Sequence, residues 1–172
     1  MIDFSQYRER LDKMGFFTAP ASTKYHGAYE GGLYQHSVRV MDNLVDLTER
    51  MGLVWQREES PQIIGMFHDL CKCDQYERDA DGHWQYRKDT LLKGHGVKSA
   101  MLAGTLLTLT EEEVACITYH MGAFVDKEEW ADYTRAIHMW PNVLWTHTAD
   151  MMAAHMQEEG LEGWTGKGKE KC

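Results

Sequence analysis

LYQHSVRVMDNLVDLTERM, residues 33–51, is the stretch on which the fold turns. Leu33, Val40, Leu44, Leu47 and Met51 recur at three- and four-residue spacing, the period of one helix face. His36 lies on that apolar stripe, where an unpaired polar side chain would cost several kcal/mol. The same conflict recurs along the chain at the adjacent pair His68-Asp69, at His95, at His120 and at Asp150. One or two divalent cations bound by these imidazoles and carboxylates are the simplest compensation that uses all six residues at once.

Working outward, residues 4–14 read as a short amphipathic helix, followed by a loop of small residues over 18–32. Pro61 suits the first turn of a helix running to about residue 71, with Ile64, Phe67 and Cys71 inward and His68-Asp69 at its C-terminal end. Tyr76, Trp84 and Tyr86 flank the turn sequence Asp79-Ala80-Asp81-Gly82, which predicts a short β-hairpin. Gly94 and Gly96 bracket His95 at the start of a helix to about residue 107, with Val97, Ala100, Met101 and Gly104 expected inward. Glu111, Glu112 and Glu113 suit the N-terminal dipole of a helix ending near His120. A weak helix follows the polar segment 126–134. Pro141 opens a last one, to about residue 159, with Val143, Thr146, His147, Asp150 and Ala154 on one face. The expected fold class is all-α, a helical bundle with one short β-hairpin. The chain reads as a single domain over 1–172, with its core at about 20–155 and a loose tail at 160–172.

Composition limits the partners. A net charge of −9 and a pI near 5.4 lack the basic footprint that long duplex nucleic acid demands. A small anionic substrate is still open, because a bound cation dominates its local field. Cys71, Cys73, Cys116 and Cys172 form no C-x-x-C pair, and the N-terminus has no signal-peptide core, so a cytoplasmic protein with reduced thiols is expected. The C-x-C at 71–73 reads as buried inert thiols rather than a soft-metal site. No apolar run is long enough to cross a membrane, so no membrane partner is expected, and oligomeric state is not legible.

The segments KYHGAYEGGLYQHS (24–37), FHDLCK (67–72), KGHG (93–96), YHMG (119–122) and HTAD (147–150) resemble HD-domain metal-dependent phosphohydrolases, nearest to the bacterial HD proteins related to the YhaM 3′-to-5′ exoribonucleases. The resemblance spans about residues 20–155. It implies an HD-domain bundle with a dinuclear centre. One cation would be held by His36, His68, Asp69 and Asp150, and the second by Asp69, His95 and His120. Met121 stands where related proteins often carry a second consecutive histidine, so a third cation is not implied. Manganese or iron suits these oxygen and nitrogen donors best, with nickel, cobalt, zinc and magnesium as alternatives.

In such a site two cations about 4 Å apart lower the pKa of a bridging water and offset charge on the phosphoryl oxygens. Asp69 and Lys72 are the catalytic candidates, with Lys72 placed to meet a phosphate oxygen or the leaving group. Lys24, His26 and Arg39 are candidate substrate contacts, set against a solvated lysine, a structural histidine and a surface ion pair. Phe124, ahead of Trp130 in a loop-like segment, is a candidate for base stacking, and Trp84, Tyr86 and Trp140 read as core aromatics. His83, His138 and His155 are expected to be structural or exposed, and His147 is placed to orient Asp150. The expected activity is cleavage of a phosphate ester of a nucleotide or short oligonucleotide. A 3′-to-5′ exonuclease on short RNA or DNA, a non-catalytic metal-containing nucleotide-binding module and a di-iron oxygenase are the alternatives.

Overall fold

Gly32–Met51 forms the 20-residue helix α2, which fixes the architecture. The structure, a computed structural model, describes residues 2–156. The loose tail expected over 160–172 and the last three residues expected of the final helix lie outside them.

Among the described residues there are seven α-helices and one two-stranded antiparallel sheet. The first is α1, Arg8–Met14, entered through a 3-10 turn at Phe4–Tyr7 rather than as one continuous helix. After α2 come α3 (Ser60–Phe67), α4 (His95–Leu106), α5 (Glu111–Tyr119), α6 (Trp130–Met139) and α7 (Asn142–Met156). Strands β1 (Tyr76–Arg78) and β2 (Trp84–Tyr86) pair with Tyr76 opposite Tyr86, as the turn sequence predicts. The all-α class with one short hairpin holds. No helix is long and apolar enough to cross a membrane among the described residues.

The stripe of α2 buries Leu33, Val40 and Leu44 completely, together with His36. It packs on α3 and α7. Gly65 makes the first contact tight, since a Cβ there would collide with the backbone of Met41. Ala149 and Ala153 let α7 approach from the other side, where Asn43 Nδ2 donates to the Ala149 carbonyl at 3.0 Å. Ile63, Ile64, Phe67, Leu70, Ile117 and Val143 fill the space between these helices, each worth roughly 1.5–3 kcal/mol of burial.

Helix α5 starts on a capping box: Thr110 Oγ1 accepts from the Glu113 amide at 3.2 Å, and Glu113 Oε2 accepts from the Thr110 amide at 2.9 Å. Glu113 is also fully buried, accepting from Ser60 Oγ at 2.8 Å and from Arg57 Nε at 3.0 Å. Glu112 reaches Asn142 Nδ2 at 2.8 Å. These acids tie α5 to α3 and α7 as well as answering the helix dipole.

Two expectations are corrected. The helix with Pro61 stops at Phe67, and a 3-10 turn at Leu70–Cys73 follows. On α4, Val97 and Met101 are each 53% exposed and Gly104 is exposed, while Lys98, Ser99, Ala100 and Ala103 are buried. Polar partners decide that face: Lys98 pairs with Asp74, and Ser99 Oγ accepts from the Cys71 amide at 3.1 Å.

Candidate metal centre

His68 caps the C-terminus of α3, and Asp69 leaves the helix at φ −110°, ψ 18°. Adjacent residues of a continuous helix do not face the same way. The break after α3 is what allows both side chains of His68-Asp69 to point inward. His36 comes from the first turns of α2, Asp150 from α7, His95 from the N-terminus of α4 and His120 from the C-terminal end of α5. Gly96 allows α4 and α5 to meet at His95 and His120, because a Cβ there would strike the Thr118 carbonyl.

The six residues converge around the two oxygens of Asp69. On one side, His36 Nε2 and His68 Nε2 are 3.3 Å apart and lie 3.6 and 3.4 Å from Asp69 Oδ2. Asp150 Oδ1 completes that group at 3.0 Å from His36 Nε2 and 3.8 Å from His68 Nε2. On the other side, His95 Nε2 and His120 Nε2 are 3.2 Å apart and lie 2.8 and 3.5 Å from Asp69 Oδ1. Donors bound at about 2.0–2.2 Å to one ion sit about 3.0–3.4 Å from each other, so both groups have the span of a coordination sphere.

Proton positions point the same way. His68 Nδ1 donates to the Gly65 carbonyl at 2.9 Å and His120 Nδ1 to the Ile117 carbonyl at 2.7 Å, so in the neutral rings each Nε2 carries a lone pair. Asp69 Oδ1 is buried without a satisfied hydrogen bond, with His95 Nε2 2.8 Å and His120 Nε2 3.5 Å away. Lone pairs facing one another in a buried site are relieved by a proton or a metal ion between them. Asp69 and Asp150 bring two carboxylates into this buried site, and the Lys72 ammonium, whose Nζ lies 2.7 Å from Asp69 Oδ2, answers one of them. The donor set therefore fits one or two divalent ions.

Without metal, burial alone pushes the Asp69 carboxyl up, but the Lys72 ammonium and the imidazoles of His68 and His120 outweigh it and hold the group well below the carboxylate range. Asp150 is held down against burial by its hydrogen bond to His36 and by the nearby imidazoles. Burial pushes His36 and His120 down. His95 goes the other way: burial opposes its charge, yet Asp69 and Cys71 raise it to about 10.

Of the expected substrate contacts, His26 is the one brought against the centre. Its ring lies 4.8 Å from that of His36, and its Nε2 is buried with no hydrogen-bond partner. Burial, then the proximity of His36 and Lys72, lowers it to about 4, so the ring is neutral at physiological pH. Lys24 is exposed two residues earlier in the same loop, and Arg39 is half-buried on α2 with no ion pair among the described residues. Phe124 is 68% exposed, its ring tilted against that of His147 with centroids 6.2 Å apart.

Neither family models nor curated proteins nor solved structures give a match to this chain. The site is thus argued from its own geometry. His147 does not orient Asp150 as expected; its Nδ1 meets the His120 carbonyl at 2.8 Å. Cys71, read as an inert thiol, places Sγ 3.3 Å from His95 Nδ1. Its C-x-C setting carried no signal for that contact, which depends on the 3-10 turn after Asp69.

Proposed function

We propose that this chain is a metal-dependent phosphohydrolase of the HD-domain kind, cleaving a phosphate ester of a nucleotide or a short oligonucleotide. The observation that carries this reading is Asp69, a buried carboxylate whose two oxygens each face a separate pair of imidazole nitrogens. His36, His68, Asp69 and Asp150 would hold one cation, and Asp69, His95 and His120 a second. Manganese or iron suits the donors. When bound, the cations supply an activated water and neutralise charge developing on the phosphoryl group.

The remaining steps belong to side chains. Lys72, with Nζ on Asp69, keeps that carboxylate ionised and offers an ammonium to a phosphate oxygen at the edge of the centre. His26 directs a free, neutral imidazole nitrogen to the same place and would bind the phosphoryl or leaving-group oxygen. Lys24 and Arg39 add positive charge at the loop and on α2, and exposed Phe124 provides a stacking surface for a base. The net charge of −9 favours a small substrate over a long duplex. A reducing, cytoplasmic setting suits the free Cys71, Cys73 and Cys116.

The test is product analysis with manganese-loaded protein on nucleoside mono-, di- and triphosphates and short RNA and DNA oligomers, beside Asp69→Asn. Release of phosphate or pyrophosphate, lost in the variant, is the expected result. Mononucleotides released from oligomers would favour the exonuclease form. Two bound metals with no hydrolysis would overturn the enzyme reading in favour of a binding module, and oxygen consumption by the iron form would favour an oxygenase.

A further inference from the structure

Two of the site imidazoles rest Nδ1 on a backbone carbonyl; His95 rests it on a sulfur. Cys71 is fully buried, and its Sγ lies 3.6 Å from Gln75 Oε1. An amide oxygen only accepts, so the single thiol hydrogen points at Gln75. With that hydrogen committed, the sulfur can meet His95 only as an acceptor. In the neutral ring that binds an ion, the His95 hydrogen is then on Nδ1, and the Nε2 lone pair turns toward Asp69 Oδ1 and His120. The arrangement is anchored from the same helix: Ser99, four residues after His95 on α4, accepts from the Cys71 amide at 3.1 Å.

We infer that Cys71 and Gln75 are positioning residues that set the tautomer of His95, so that the cation position formed by His95, His120 and Asp69 Oδ1 depends on a thiol that does not itself bind the ion. Groups that orient a metal-binding imidazole from behind are typically worth about 10–100-fold in metal affinity. The inference rests on the two-cation reading of the site and not on the hydrolysis.

The experiment is a Co²⁺ titration of the full chain under reducing conditions, followed by calorimetry and by absorption, for wild type, Cys71→Ala, Cys71→Ser and Gln75→Leu. Cys71→Ala is expected to bind one equivalent as wild type does and the other about 10–100-fold more weakly. Cys71→Ser, whose hydroxyl can donate to Gln75 and accept from His95, should recover most of the loss. Gln75→Leu should fall between, and it carries the same test if Cys71→Ala does not fold. A second equivalent bound by Cys71→Ala with wild-type affinity would overturn the inference. So would a near-ultraviolet thiolate-to-cobalt band in wild type that disappears in Cys71→Ser, since the sulfur would then be a ligand. Wild type that takes fewer than two equivalents overturns the two-cation reading and this inference together. Two equivalents without ester hydrolysis would overturn only the proposed activity.

Discussion

Lys72 shows how much one side chain can be asked to do in a buried site. Its ammonium lies against Asp69 Oδ2, so it contributes to keeping the carboxylate ionised before any cation or substrate arrives. Lys72→Met removes that charge and leaves every imidazole and carboxylate donor in place. The expected outcome is retained metal content by elemental analysis with kcat lowered by about 10²–10³, the usual effect of deleting one donor to a developing negative charge. Loss of metal along with activity would move Lys72 from substrate to carboxylate support alone. His26→Leu tests a second contact. A hydrogen bond to a charged phosphoryl oxygen is worth about 1.5–3 kcal/mol, so kcat/KM should fall by roughly 10- to 160-fold with metal content unchanged. At this scale the sequence was informative wherever a polar residue interrupted an apolar stripe, as His36 and Asp150 do. It was silent on Cys71 and Gln75, whose importance comes from a turn type and from which neighbour each hydrogen faces.

At the scale of elements, the site depends on how closely α4 and α5 meet. Gly96 is in contact with the Thr118 carbonyl, and Gly104 on the same helix has nothing within 4 Å of where a Cβ would stand. The pair makes an internally controlled prediction. Gly96→Ala forces the helices apart, at a cost of about 1–3 kcal/mol, and separates His95 from His120, so one metal equivalent should weaken. Gly104→Ala should leave metal binding alone and stabilise by about 0.4–1 kcal/mol. Urea unfolding of the two variants checks the sign of each. The same helix shows where periodicity fails as a guide. Val97 and Met101 read as its buried face, but the face is set by Lys98 finding Asp74 and Ser99 finding the Cys71 amide, partners 24 and 28 residues earlier in the chain. On α2 the long-range polar partners lie on the same side as the stripe, Asn43 reaching the Ala149 carbonyl and His36 reaching Asp150, so Leu33, Val40 and Leu44 are buried as expected, while Leu47 is half-buried and Met51, at the end of the helix, is exposed. The break after α3 was equally hidden, because Pro61 marks where that helix begins and no glycine or proline marks where it ends.

For the whole molecule, the proposed cation binding would be linked to folding through the six donors, which come from α2, α4, α5, α7 and the end of α3. No single element holds a cation group by itself: the first draws on α2, α3 and α7, the second on α3, α4 and α5. An unfolded chain cannot assemble either, so a metal ion stabilises the folded state by mass action, about 2.7 kcal/mol at a free concentration of 100 times Kd. For a chain of this size that corresponds to a rise in Tm of about 5–11 °C, reversed by a chelator. The pH dependence has a definite sign. Metal binding requires neutral imidazoles, and His95 is held protonated up to about 10 in the metal-free protein, so loading near neutral pH must expel its proton. Below about 10 that proton competes with the ion, so the apparent affinity falls by up to about tenfold for each unit of pH, and the metal-induced rise in Tm should shrink steadily as the pH is lowered from roughly 9 to roughly 6. Differential scanning fluorimetry with and without Mn²⁺ across that range, paired with proton-release measurements in weakly buffered solution, checks both parts. A Tm shift independent of pH, or loading without proton release, would mean that the imidazoles are not the ligands.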